Sequence, residues 1–328
     1  QANQEPNKIF DPMLEVDVGE NIYLARENNW VAQEMWKYLS SKGILQNPKR
    51  LSQNHHDLLE VYCSPESELT NQARAQGLLA DRFCLRDGDL STVQGRFRLY
   101  DRMVSLLPRN IWLAPKCKAW CKWNMYNMSK SPELARKIME SRQDEQVHLL
   151  LCDAIFQFQM WRSPQSHAHL EQPDGSHMLY QEELAAIFEQ TMLAKCDMCQ
   201  AGHLKHPETG RYLQKRTQII TTSSILHQHI SKHQCPHNHE HDTVSGSCRH
   251  PNLGRVNVSQ FTELYTRVFA SRMARCFQCI SQVRERSHGS PELVFAGHSM
   301  DELPIPAPKR QKLTGKQPVS NFYQQLQQ

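Results

Sequence analysis

Short apolar runs alternate with longer amphipathic segments along the middle of the chain. The runs with the length and composition of buried strands are 58–63, 80–85, 110–115, 167–173 and 218–223. The amphipathic segments that predict helices between them are 68–79, 95–107 and 133–161. Strands and helices that alternate in this way form βαβ units, in which a parallel sheet is covered on both faces. The pattern therefore predicts an α/β fold: a Rossmann-like, mostly parallel sheet with helices on both faces, plus a small Cys/His-rich insert.

The same pattern divides the chain into five parts. They are an N-terminal helical extension at 1–55, the alternating core at 56–195, a Cys/His-rich insert with the last core strand at 196–255, a C-terminal core helix at 256–285 and a disordered tail at 286–328. In the first part, apolar side chains recur at helical spacing from Trp30 to Leu39. The C-terminal helix is predicted over 259–280, with Ser259 as its N-cap.

Composition narrows the classes of protein that this chain can belong to. None of its apolar runs approaches the roughly 20 residues that a membrane helix needs. The net charge of +4 is too small to indicate nucleic-acid binding by itself. The 11 cysteines, many of them isolated in apolar stretches, indicate reduced intracellular thiols. The basic segment 306–313 resembles a nuclear-import signal, and a start at Gln1 without Met predicts a processed product or a piece of a longer protein.

The loops that follow the first two strands carry candidate ligand-binding residues. Parallel sheets bind ligands at the carboxyl ends of their strands. Small residues Cys63 and Ser64, followed by Pro65, can expose backbone N–H groups at the start of a helix, which favours an anion. Asp87 and Asp89 can hydrogen-bond the hydroxyls or the amine of a nucleoside. The alternatives are an ordinary strand–helix turn and a solvated turn.

The next loops carry candidate catalytic residues. Cys117 follows the third strand between Lys116 and Lys118, and neighbouring cations favour the nucleophilic thiolate. A small buried cysteine is the alternative. Glu171 ends the fourth strand, and the basic turn 214–219 leads into the last one.

Taken in order, five segments resemble the motifs of the DNA (cytosine-5) methyltransferases. They are Tyr62-Cys63-Ser64, Gly88-Asp89-Leu90, the run 116–121, Glu171-Gln172-Pro173 and the run 214–219. Order and approximate spacing agree over about residues 57–225. The Glu-Gln-Pro form is also similar to methyltransferase-like modules of mobile-element polyproteins.

The resemblance implies a Rossmann-like domain that uses S-adenosyl-L-methionine and acts on nucleic acid, with DNA as the expected partner. The residues it places at the cofactor are Tyr62, Cys63, Ser64, Asp87, Asp89 and Pro115. Cys117 would attack the ring carbon beside carbon 5 of a cytosine that has left the base stack. Glu171 would protonate or hydrogen-bond the ring nitrogen, and Arg216 would hold the base and the Glu171 carboxylate.

Several positions depart from the family pattern. Lys116 stands where a proline normally precedes the nucleophile, Gln218 replaces an arginine, and the cofactor loop contains no glycine. Little chain is left for a target-recognition domain. A catalytically inactive nucleic-acid-binding module and a zinc-stabilised interaction domain therefore stand beside an active methyltransferase as alternatives.

Cysteines and histidines concentrate between residues 196 and 250. Thiolates and imidazoles suit zinc, and a zinc site would cross-link a segment too polar to bury much core. The candidate ligands are Cys196, Cys199, Cys235, His237, His239 and Cys248, with His203, His206, His241 and His250 nearby. The alternatives are a metal-free surface loop and a contact with phosphate through Lys205, Lys215 and Arg249.

Overall fold

The computed structural model of this protein describes residues 29–250 and 254–287. Its strands are β1 His56–Cys63, β2 Ala80–Cys84, β3 Pro108–Leu113, β4 His167–Pro173, β5 Met192–Asp197, β6 Tyr212–Leu213, β7 Arg216–Thr221, β8 His241–Asp242, β9 Ser247–His250 and β10 Gly254–Asn257. Its helices are α1 Trp30–Ser41, α2 Pro48–Leu51, α3 Glu68–Ala75, α4 Val93–Leu106, α5 Lys122–Met128, α6 Pro132–Arg162, α7 Ala185–Gln190, α8 Met198–Ala201, α9 Ser224–Ser231, α10 Val258–Phe261 and α11 Arg267–Ser287. Across these two ranges, no helix has the length and apolar character needed to cross a membrane.

Six strands form the main sheet in the order β2-β1-β3-β4-β7-β5. The first four run parallel, whereas β7 is antiparallel to both of its neighbours. The predicted α/β class and mostly parallel sheet are confirmed, but the sheet is mixed and includes β5, which the apolar pattern did not predict. Two small two-stranded sheets, β9 with β10 and β6 with β8, lie in the Cys/His-rich segment.

Helices pack on both faces of the main sheet. On one face, the apolar sides of α1, α4 and α6 cover residues such as Leu59 and Ile111. On the other face, α3, α9 and α11 cover Leu58, Trp112 and Ile219. Successive strand residues point to opposite faces, so Leu58 and Leu59 belong to different halves of the core. The central strands β1, β3 and β4 are therefore buried on both sides over most of their length, which explains their short apolar runs.

The predicted N-terminal helix is confirmed as α1, and polar contacts attach it to the core. The Asn29 side chain accepts from the backbone N–H of Ala32 at 2.8 Å and donates to Asp153 of α6 at 2.7 Å. Glu34 pairs at 2.7 Å with Arg96 of α4, whose side chain is only 1% exposed. A buried charge is stable only when it is paired in this way, so α1 is an integral part of the fold.

The helix predicted over 259–280 is wrong in its first part. The structure has the short α10, a break over 262–266, and then α11 from Arg267. Ser259 lies within α10, and the hydroxyl of Thr266 instead accepts from the N–H of Phe269 at the start of α11. The break allows the Tyr265 hydroxyl to reach Trp112 and Glu171 in the interior.

Some predictions lie outside the described residues. They concern most of the disordered tail, with the basic segment 306–313, and residues 1–28 of the N-terminal extension.

The start of α4 lies against the loop that carries Asp89. A Cβ atom added to Gly95 would lie 1.9 Å from the carbonyl oxygen of Asp89 and 2.4 Å from its carbonyl carbon. Thr92 caps the helix here by accepting from the N–H of Gly95 at 3.1 Å. Only glycine fits at this close approach of two backbones.

We expect Gly95→Ala to lower the free energy of unfolding by about 2–3 kcal/mol, because the added methyl group must push the Asp89 loop away. Urea denaturation measures the loss. The neighbouring exposed residue provides the control, since Gln94→Ala should change the free energy by less than about 0.5 kcal/mol. Equal stability of the two variants would contradict the close contact.

Candidate catalytic crevice and metal centre

The sheet order places a topological switch point between β1 and β3, and the region outside the carboxyl ends of these strands is the candidate crevice. The chain runs from β1 to β2 on one side and then returns to β3 on the other, so the strand order reverses between β1 and β3. The helix after β1 packs on one face of the sheet, and α6, which follows β3, packs on the opposite face. Open α/β sheets bind ligands at such a switch point, outside the carboxyl ends of the strands. Of the predicted site segments, 62–64 includes the last two residues of β1 and 114–117 follows β3.

Tyr62, near the end of β1, has a backbone conformation that is rare for its residue type. Its φ of 64° is in the left-handed region, next to an irregularity in the pairing of β1 with β2. Its hydroxyl lies 3.1 Å from Nδ1 of His148 on α6, and the two rings pack edge to face. Such strain costs about 1–3 kcal/mol and concentrates at functional sites.

The two residues after Tyr62 differ in their accessibility. Burial raises the pKa of the Cys63 thiol, which lies 3.6 Å from the carbonyl oxygen of Glu60. Cys63 therefore behaves as a neutral small side chain. Ser64 is exposed and available to a ligand in the crevice.

The two acidic residues of the second loop have different roles. The Asp87 carboxylate accepts from the backbone N–H of Cys84 at 2.8 Å and closes its own turn. Asp89 accepts from both the N–H and the hydroxyl of Ser91, and these bonds lower the pKa of Asp89. The positive charge of Lys116 acts on Asp89 in the same direction. Asp87 is thus a turn residue, whereas Asp89 is an ionised, exposed carboxylate.

Two residues of α6 also belong to the crevice, and sequence reasoning missed them. Burial raises the pKa of Glu145 and lowers that of His148, while the charge of Lys116 acts on both side chains. They are three residues apart and so share one face of the helix. The sequence does contain a signal for them: two ionisable residues three positions apart stand where α6 becomes apolar.

Glu171 ends β4 with a buried carboxyl group, and its side chain lies on the face covered by α11. The Tyr265 hydroxyl donates to its Oε2 at 3.3 Å, and the same hydroxyl accepts from Nε1 of Trp112 at 2.9 Å. Burial raises the pKa of Glu171, and the charge of Lys215 partly opposes this rise. The carboxyl is therefore held in place by the core and biased toward its protonated form.

Cys117 follows β3 and precedes a 3₁₀ helix at Lys118–Trp120. Gln172, beside Glu171, donates to the carbonyl oxygen of Pro115 at 2.8 Å and so ties the loop before Cys117 to the end of β4. Burial and the negative charge of Glu171 raise the pKa of Cys117 to about 11, against the opposing charge of Lys215.

Lys116 and Lys118 were expected to favour the thiolate by lowering the pKa of Cys117, but that pKa is raised. Both lysines are exposed to water. Exposed charges are screened, whereas burial acts on the thiol directly. The net effect at Cys117 is a raised pKa.

The resemblance implied that Arg216 would hold the Glu171 carboxylate, but the structure gives Arg216 other partners. Its guanidinium pairs with Asp197 of β5 at 3.2 Å and donates to Gln234. Residues 217 and 219 share the face of Glu171, whose register partner is Ile219. Successive residues of a strand face opposite sides of the sheet. Arg216, the first residue of β7, is therefore on the opposite face, whereas Lys215, just before β7, is on the face of Glu171. Lys215 is the cation that acts on both Glu171 and Cys117.

Four side chains of the Cys/His-rich segment meet at one point: Cys199, Cys235, His239 and His241. Their ligand atoms all lie within 4.8 Å of one another. The Cys235 sulfur is 3.7 Å from Nε2 of His239 and 3.6 Å from Nε2 of His241. Tetrahedral zinc with its usual bond lengths separates a sulfur from a nitrogen ligand by roughly 3.6 Å. This group could bind a metal such as zinc.

The remaining candidate ligands lie elsewhere. Cys196 and Cys248 are buried among the apolar side chains that face α11. His237 contributes its backbone N–H, which donates to the Cys235 sulfur at 3.3 Å, but its side chain is outside the group. His241, which was not among the predicted ligands, is the fourth member of the group. Spacing alone did not select it, because the chain turns between residues 235 and 241.

We expect Glu171→Gln to accelerate alkylation of Cys117 severalfold, because removing the negative charge lowers the pKa of the thiol. With wild-type protein the rate should rise about tenfold per pH unit up to pH ~10, following the thiolate fraction. Iodoacetamide labelling at pH 8, followed by peptide mass spectrometry, measures this rate, with the exposed Cys279 as internal reference. Glu189→Gln, at an exposed carboxylate, should leave the rate unchanged. An unchanged rate in Glu171→Gln would refute the coupling.

No protein-family model, no curated protein and no solved structure matches this chain. Its own residues and their geometry must therefore support any function assigned to it. Two centres carry that support: the crevice with Cys117 and Glu171, and the group formed by two cysteines and two histidines.

Proposed function

We propose that this chain is a divergent cytosine-5 methyltransferase-like domain that uses S-adenosyl-L-methionine and acts on nucleic acid. One observation carries the proposal: Cys117 and Glu171 lie at the ends of neighbouring parallel strands, β3 and β4, which the hydrogen bond from Gln172 to the carbonyl oxygen of Pro115 joins at 2.8 Å. A nucleophile and a general acid must reach the same ring of the substrate. Their position beside the switch point supports a ligand between them and β1.

The chemistry that the chain's own residues would perform is concrete. The Cys117 thiol loses its proton to water, and its sulfur adds to the ring carbon beside carbon 5 of an extruded cytosine. The double bond between these two carbons breaks, and its electron pair moves to carbon 5. Loss of the proton from carbon 5 later restores the double bond and releases the Cys117 sulfur. Burial raises the pKa of Glu171, so its carboxyl is suited to donate a proton toward the ring nitrogen as charge develops there. Lys215, whose charge opposes the rise in the pKa of Cys117, stabilises the thiolate before the attack.

The crevice has groups suited to the proposed cofactor. Tyr62 and Ser64 lie at the end of β1, Asp89 follows β2 and Pro115 follows β3. The charge of Lys116, next to Pro115, acts on both Asp89 and Glu145 of α6. Exposed, ionised Asp89 suits the hydroxyls of a nucleoside. Lys116 and Glu145 offer charges of both signs for the amino-acid end of the cofactor, which when bound supplies the methyl group. Asp87, which closes its own turn, is not needed for this role.

A second candidate function is a nucleic-acid-binding module without catalysis. The observation that favours it is the pKa of Cys117, which at about 11 leaves little thiolate at neutral pH in the absence of substrate. A buried thiol of this kind serves as a small apolar side chain. The two candidates differ in whether Cys117 ever forms a bond to a base.

We expect S-adenosylhomocysteine at 1 mM to raise the Tm by about 5 °C, which corresponds to a Kd near 10 µM and a stabilisation of about 2.7 kcal/mol. Asp89→Ala should remove most of this shift because it removes the carboxylate that faces the nucleoside. Arg86→Ala, exposed in the same loop, should retain it. Absence of any shift in the wild type would exclude the proposed cofactor.

We expect the wild-type chain to form a covalent adduct with DNA that contains 5-fluorocytosine in the presence of S-adenosyl-L-methionine. Denaturing gel electrophoresis followed by mass spectrometry detects the adduct. Cys117→Ser should abolish it because the hydroxyl is a far weaker nucleophile at this pH. Cys121→Ser, at a partly buried cysteine in the same loop, should form the adduct normally. If cofactor binds but no adduct forms on DNA or RNA of mixed sequence, the non-catalytic module is the correct function.

A further inference from the structure

The four candidate metal-ligating side chains come from two segments that are distant along the chain. Cys199 lies on α8, Cys235 and His239 lie in the loop after α9, and His241 starts β8. Both cysteines are buried and both histidines are half-buried. Two thiolates and two imidazoles arranged without a carboxylate match a closed, structural zinc site rather than a site for Mg²⁺ or Ca²⁺.

The backbone around this group is already organised for a metal. The Asp197 carboxylate accepts from the backbone N–H of Cys235 at 2.8 Å and pairs with Arg216 through its other oxygen. The backbone N–H of His237 points at the Cys235 sulfur at 3.3 Å. Hydrogen bonds to a ligand residue and to its sulfur orient thiolates in metal sites. Arg216 thus supports this centre rather than Glu171.

The same segments hold the main chain on either side of Lys215. Met198, the residue before Cys199, donates its N–H to the carbonyl oxygen of Lys215 at 2.8 Å. Gln214, the residue before Lys215, donates its N–H to the carbonyl oxygen of Asp242 at 2.9 Å. Asp242 directly follows His241, so the two bonds connect Lys215 to the neighbours of two ligands.

The side chain of Lys215 reaches the candidate catalytic crevice. Its Nζ donates to the carbonyl oxygen of Thr262 at 2.5 Å, three residues before Tyr265, whose hydroxyl binds Glu171. A lysine side chain has four rotatable bonds, so its position depends on how firmly its backbone is held. In this protein the ligand-bearing segments hold that backbone.

We propose that Cys199, Cys235, His239 and His241 bind one structural zinc ion, and that this ion fixes the main chain that positions Lys215 beside Glu171 and Cys117. The metal site stands on its own geometry, whereas the role of Lys215 in the reaction rests on the proposed function. Without the ion, a segment that buries little apolar surface loses its cross-link, and the hydrogen bonds on both sides of Lys215 lose their support.

Metal content tests the first part. Protein purified without chelator should contain about one zinc per chain by elemental analysis. Cys235→Ser and His241→Ala should each lower this value strongly. His237→Asn should preserve it, because the His237 side chain is outside the group and asparagine tolerates its positive φ of 54°. Zinc below about a tenth of an equivalent in the wild type, or equal loss in His237→Asn, would overturn the ligand assignment.

The rate of Cys117 alkylation tests the second part. Removal of zinc with a chelator should slow iodoacetamide labelling of Cys117 about threefold, because the favourable charge of Lys215 moves away. In Lys215→Met the rate should already be slow, and the chelator should have no further effect on it. Circular dichroism before and after chelation checks that the main fold persists.

An unchanged or faster Cys117 rate in chelated wild-type protein would overturn the positioning role, as would an equal chelator effect in Lys215→Met. Labelling requires neither cofactor nor nucleic acid. A failure of the methyltransferase assays therefore leaves this result intact, and a failure here leaves the cofactor and adduct results intact.

Discussion

The hydroxyl of Tyr265 joins the hydrophobic core to the candidate catalytic crevice. It accepts from the indole of Trp112, which is fully buried against α11, and donates to the carboxyl of Glu171 at the end of β4. Buried polar groups need such partners, and a chain of them is strengthened by the low dielectric around it. The orientation of Glu171 therefore depends on core packing rather than on a surface loop. The same contact draws residue 265 inward and separates α10 from α11.

Burial has more influence than local charge on the chemistry of the crevice. It raises the pKa of both Glu171 and Cys117, while the lysines next to Cys117 in sequence lie in water. Screening weakens the exposed charges, and desolvation penalises the ionised thiol and carboxyl. A raised pKa suits a carboxyl to donate a proton, but a thiol in the same surroundings needs a nearby cation. Lys215 is the cation that the fold supplies.

The reversed strand β7 determines which basic residue has that role. Because β7 pairs with β4 on one side and with β5 on the other, its start lies between the crevice and the Cys/His group. Neighbouring residues on a strand face opposite sides, so Lys215 acts on Glu171 while Arg216 binds Asp197, whose carboxylate accepts from the backbone N–H of Cys235. Two consecutive residues therefore connect the candidate crevice, through Lys215, with the Cys/His group, through Arg216.

The sequence by itself determined the α/β class, five of the six strands of the main sheet, the helices α1, α3, α4 and α6, and the strand ends and loops in which Cys117, Glu171 and Asp89 lie. These features follow from apolar periodicity and from the rule that strand ends carry ligands, both of which are local. Tertiary structure decided the direction of β7, the break before α11, and the choice of His241 over Cys196 and Cys248 as a member of the metal group. It also decided that Lys215 and not Arg216 faces Glu171, and that His148 and Glu145 border the crevice. Each of these depends on which face of an element meets a partner distant in sequence, and neither residue type nor spacing records that information.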